Sequence, residues 1–255
     1  MTLNKDIFPW FNAILLALTL ELAVYRGEWV YILAPMALAV VILSVWQFNE
    51  HKFNRDFWRL GISPILFFIG VILFFVFLVP NTPLLMHSYV ILMSLLTAFY
   101  YKNIHDIAGG PQIYRPYALE NLASHFNLLT IFLFSASFYN FVFFSGPIFW
   151  VIEAMLALII IGLLHQTFWA SRILNRRNSM FIFVIALIMA EVFLIVSYLP
   201  TGFYVSGLIL TLIYYFLSET TRNYLLDKTN RRNYRREMII AGAVLIIVLL
   251  TARWH

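Results

Sequence analysis

Apolar residues run along this chain in long blocks, and polar residues are confined to the breaks between them. Nine blocks stand out: 7–25, 29–47, 62–80, 84–101, 126–145, 148–170, 179–199, 203–219 and 238–252. Most have the ~17–25 residues that a helix needs to cross a bilayer, and so they predict an all-α, polytopic helix bundle. The breaks alternate in character. Four are short and nearly uncharged: "RGE" at 26–28, "PNTP" at 80–83, "SGP" at 145–147 and "LPTG" at 199–202. The other four, 48–61, 102–125, 171–178 and 220–237, are longer and polar.

That alternation sets an orientation. With the N-terminus and the long breaks in the cytoplasm, every Lys and Arg falls inside except Arg26 and Arg253. Basic residues are retained on the cytoplasmic side of spans, so the bias predicts an N-terminus inside and, after nine spans, a C-terminus outside. The whole chain reads as one integral membrane domain whose longest cytoplasmic loop is 102–125.

Composition agrees. The 255 residues are 62% hydrophobic and 11% charged, against about 25% charged in soluble domains. The mean hydropathy is +0.85. A soluble fold of this size would lack a polar skin. The absence of cysteine rules out disulfides, thiolate metal sites and cysteine nucleophiles. The first block contains Glu21 and no small-residue cleavage site follows it, so it reads as a retained span rather than a signal peptide. A plasma or inner membrane is the expected location.

Charge is densest in "RNYLLDKTNRRNYRREM", from Arg222, through Lys228, Arg231, Arg232 and Arg235, to Arg236 and Met238. Between the eighth and ninth spans this basic face is first a topology signal. It also suits anionic headgroups, which contribute ~1 kcal/mol per basic residue at the surface. A cytoplasmic protein partner is the next reading. A nucleic-acid partner is not expected, because interleaved aromatic platforms are missing.

A weak repeat links the hairpins. "FYVSGLILTLIYYFLSETT" from Phe203 aligns without a gap under "FWVIEAMLALIIIGLLHQT" from Phe149. All such hairpins point the same way, so inverted repeats are not indicated.

Ionisable groups inside spans cost ~2.5–3.5 kcal/mol each on insertion scales, so each needs a reason. Four fall in the outer half on this topology: Glu21, His87, Glu153 and Glu191. Glu191 is the deepest, ~13 Å below Pro200 at 1.5 Å per residue. With Asn140, and with Tyr139 and Ser206 completing the lining, they form a candidate intramembrane polar site for proton relay or cation binding. The plainer reading lets Glu21 and Glu153 reach up to the headgroups and leaves Glu191 with one hydrogen bond. His165, near the inner end of its span, fits an interfacial position. The loop "KNIHDIAGGPQIYRPYALENLASHFN" offers His105, Asp106, Tyr114, Arg115, Glu120 and His125, but in no zinc-ligand spacing, so no metal is expected.

No phosphate loop, dinucleotide fingerprint or nucleophile elbow occurs. No cofactor is implied and no catalytic residue is identified. Pro35 is the clear mid-span kink candidate. Three functions fit. The leading one is a carrier or channel for a small solute or lipid that uses the outer Glu/His cluster. The others are a membrane-embedded enzyme acting on lipid headgroups, and a non-catalytic component docking a cytoplasmic partner through its basic loops.

Overall fold

The computed structural model describes residues 8–48, 55–108, 118–145, 149–175 and 178–226, with four single residues of the last apolar block (239, 242, 243 and 246). The rest of the predicted ninth span lies outside the described residues. Eight helices follow in chain order: α1 (Phe8–Tyr25), α2 (Val30–Phe48), α3 (Arg55–Leu78), α4 (Pro83–Ala108), α5 (Ala118–Ser145), α6 (Phe149–Ala170), α7 (Ser179–Ser197) and α8 (Phe203–Leu225). A 3-10 turn, Gly27–Trp29, joins α1 to α2. Among the described residues there is no strand.

Seven helices, α2 to α8, are long and apolar enough to cross a membrane, and α1 adds a shorter apolar stretch, Trp10–Tyr25. The chain is a multi-pass helical membrane protein. Several helices outrun their apolar blocks. α3 starts at Arg55 rather than 62, α4 continues to Ala108, α5 starts at Ala118 and α8 continues to Leu225. Backbone N–H and C=O groups still need partners at the bilayer edge, and a continued helix supplies them whatever its side chains are. The earlier start of α3 also brings Pro64 inside a helix, beside the expected Pro35 in α2.

The chain divides into two compact units, 1–126 and 127–255. Each unit therefore holds more than one hairpin. In unit 1, α1 lies along α4 and beside α2, while α3 packs on α2 and α4. Polar ties fix these pairs. Ser44 on α2 donates to Asn12 Oδ1 at 2.9 Å, and Tyr89 on α4 donates to the Val71 carbonyl on α3 at 2.8 Å. At the far end from the Gly27–Trp29 turn, the Tyr100 ring stacks on Phe126 at 4.0 Å, with Phe67 edge-on to both.

In unit 2, α7 packs between α6 and α8. Every residue of α5 from Leu133 to Asn140 is buried, so protein surrounds this stretch on all faces. Asn127 on α5 donates to Thr167 Oγ1 on α6 at 3.0 Å. Tyr139 donates to the Phe193 carbonyl on α7 at 3.2 Å, and its ring stacks 4.5 Å from the Phe193 ring. On α8, Gly207 brings the backbone so close to Ala136 that an added Cβ would sit 2.9 Å from the Ala136 nitrogen. α6 ends with Arg172 in the left-handed region (φ 58). The Ile173 N–H returns to the Phe168 carbonyl at 3.0 Å and the Arg172 N–H to the Trp169 carbonyl at 2.9 Å. That pairing is a Schellman ending.

Candidate functional site

The sequence singles out five intramembrane polar residues, and the structure pairs two of them. Glu21 stands in the last turns of α1, five residues before Arg26, and His87 in the first turns of α4. The antiparallel packing of α1 and α4 sets them level. His87 Nδ1 lies 3.0 Å from both Glu21 carboxylate oxygens. Only an Nδ1–H can donate to an ionised carboxylate, so a neutral His87 in this pair carries its proton on Nδ1. The two side chains keep 43% and 34% of their surface exposed. The contact is therefore half-wet, not sealed in a core.

Close to this pair, residues near one end of α1 to α4 line a cleft of about 540 Å³. Val24, one turn beyond Glu21, lines it, as does Met86, the neighbour of His87. Its walls are apolar: Ala23, Phe75, Val76 and Val79. Its polar groups are Glu28 of the 3-10 turn, Asn81 of the α3–α4 turn and the Tyr31 ring at the start of α2. Arg26 of the adjoining turn lies with its guanidinium 5.8 Å from the Trp29 ring and does not line the cleft. Glu28 has no ion-pair partner among the described residues. The result is an apolar recess with a single negative charge in its lining.

Sequence reasoning passed over Glu28, Tyr31 and Asn81 because they fall in or beside short turns. The signal was present: an acid and an amide in two turns that any antiparallel bundle brings to the same end.

The other three candidates belong to unit 2. Glu153 on α6 is half-buried, and its Oε2 is sealed from solvent without a hydrogen-bond partner. Asn140 on α5 is buried. Glu191 is exposed on α7, in a stripe with Phe183, Leu187, Ile195 and Tyr198, all of them exposed. Tyr139 and Ser206 are occupied: Tyr139 holds α7, and the Ser206 hydroxyl lies 2.9 Å from Thr201 Oγ1. Among the described residues no three His, Asp or Glu side chains gather as metal ligands.

Arg222 of the basic stretch lies within α8, not beyond it. Its side chain is 15% exposed and its Nη2 sits 2.6 Å from Glu219 Oε2. Lys228, Arg231, Arg232, Arg235 and Arg236 lie outside the described residues, as do Tyr114 and Arg115 of the long loop. Comparison with protein-family models, curated proteins and solved structures finds no match to this chain.

Proposed function

We propose that the protein is a carrier for a small solute or lipid, loaded from the outside through the cleft of unit 1 and worked by the Glu21–His87 pair. The reading takes the chain as nine spans in a plasma or inner membrane, with the N-terminus in the cytoplasm and the short turns outside. One observation carries it: a half-exposed carboxylate–imidazole pair whose chain neighbours, Val24 on α1 and Met86 on α4, line an open recess. Ionisable side chains within membrane helices are costly, and where they line an accessible cavity they mark solute and proton paths. A pair that trades one proton supplies a charge change for coupling solute binding to movement. Channels conduct through a continuous pore, whereas this recess is bounded by residues near one end of α1 to α4; a carrier suits it better.

Single-cysteine labelling tests the reading on a chain with no native thiol. A cysteine at Val79 should react with a membrane-impermeant maleimide added outside intact cells, and one at Lys102 only after the membrane is opened. A Val79 cysteine that stays unlabelled from outside, while one at Thr82 in the adjacent turn reacts, would sink the hydrated cleft; a Thr82 cysteine that reacts only after the membrane is opened would sink the orientation.

A further inference from the structure

The chemistry of the cleft narrows the solute, an argument that rests on the carrier reading for its use but not for its existence. The walls offer methyl groups and one phenylalanine ring, namely Ala23, Val24, Phe75, Val76 and Val79. Glu28, Asn81 and Tyr31 are the residues with polar or aromatic side chains among those beside Phe75 that line it. No lysine, arginine or histidine lines the recess. Among the described residues, Arg26 of the adjoining turn holds its guanidinium 5.8 Å from the Trp29 ring and does not line the recess. Close by, Glu21 holds His87, so that pair adds no unmatched positive charge. An anion would meet a carboxylate and no cation.

From this arrangement we infer that the cleft binds an organic ammonium: a substituted amine whose positive head meets Glu28 and Tyr31 and whose apolar body fills the recess. Aromatic faces attract alkylammonium groups through the ring quadrupole, and that attraction does not require N–H donors. The carboxylate adds charge complementarity. The volume, about 540 Å³, falls within the range of small-ligand sites. Two sources supply this chemistry, a free amine from the water phase and the ammonium headgroup of a bilayer lipid.

Protection of a single cysteine decides among these. Val76→Cys places the thiol in the cleft wall, at a position already 38% exposed, so folding is not at stake. In phosphatidylglycerol vesicles, benzyltrimethylammonium should slow maleimide labelling of Val76→Cys at least fivefold at saturation. Benzylsulfonate, of similar shape and opposite charge, should not slow it. Glu28→Gln should leave the unprotected labelling rate intact while weakening protection about fivefold, the effect of one exposed ion pair. Replacing phosphatidylglycerol by phosphatidylcholine distinguishes the sources. Slower labelling without added amine identifies a lipid headgroup, and an unchanged rate with protection by the added amine identifies a free solute. Equal protection by the sulfonate, no protection by the amine, or protection indifferent to Glu28→Gln overturns the assignment. Cation-selective protection in a protein that moves nothing would instead overturn the carrier reading and keep the ammonium site.

Discussion

Replacing Gly207 by alanine exchanges one hydrogen for a methyl group where there is no room for its carbon. The new Cβ would lie 2.9 Å from both Cβ and N of Ala136 and 3.0 Å from its Cα. Ordinary carbon contacts sit at roughly 3.5–4.0 Å, so α5 and α8 would have to part by roughly 0.5–1 Å. Two of those three atoms are backbone, and no rotamer change relieves them. Ser135 also reaches across, with its Oγ 3.4 Å from the Gly207 carbonyl, so separation loosens that contact too. Overpacking of this kind costs roughly 1–3 kcal/mol, and the helical preference of alanine returns up to about 1 kcal/mol. The net loss, roughly 1–2 kcal/mol, lowers the Tm of a chain this long by about 2–8 °C. Thermal unfolding of the purified protein in one detergent, followed by tryptophan fluorescence, reads it. Two comparisons make the test specific. Gly27→Ala meets nothing within 4 Å and should leave Tm unchanged. Ala136→Gly combined with Gly207→Ala removes only the Cβ clash, so it should restore less than the full loss. A Gly207→Ala protein as stable as its parent, or complete rescue by Ala136→Gly, would refute the claim that backbone contact sets the α5–α8 distance.

Other outcomes follow from single interactions. Glu21→Gln should change Tm little, because a pair this exposed is worth at most ~1 kcal/mol after solvent screening, yet it should abolish any solute-dependent response; a large stability loss would make the pair structural. Arg222→Met removes the cation 2.6 Å from the mostly buried Glu219 carboxylate and should destabilise by about 1–3 kcal/mol, and adding Glu219→Gln should recover part of it, as paired unfolding curves would show. Arg172→Gly should stabilise by about 1 kcal/mol, since glycine adopts the left-handed ending of α6 without strain; an unchanged or lower Tm contradicts that geometry. Glu191→Leu should raise stability and leave any cleft function intact, because the carboxylate stands among exposed apolar residues; loss of function there would move the working site into unit 2.

Hydropathy located the eight described helices because crossing a bilayer demands apolar length, and that demand is local in sequence. It missed helix ends, such as Arg55 and Leu225, where the helix persists for its backbone rather than its side chains. Glu21 and His87 were legible as costly residues. Their pairing across 66 positions was not, because helix order in a bundle is set by packing between distant segments. Buried polar residues such as Asn12, Asn127 and Gln166 were visible inside apolar blocks, yet an uncharged amide raises little alarm in a hydropathy profile. Here those amides tie neighbouring helices together. Glu28 and Asn81 looked like turn residues and are also cleft residues; that double role appears only once the turns are brought to one end.

Alternating exposure is what separates a carrier from a fixed receptor, and Leu20 is placed to report it. This residue is fully buried and next to Glu21 in the chain, one turn from the cleft residues Ala23 and Val24. In sealed vesicles carrying Leu20→Cys as the sole thiol, an impermeant maleimide should label it slowly when added outside and also when trapped inside, with Glu21→Gln suppressing one of the two rates. Labelling from neither side, or from the outside alone, would contradict the carrier account.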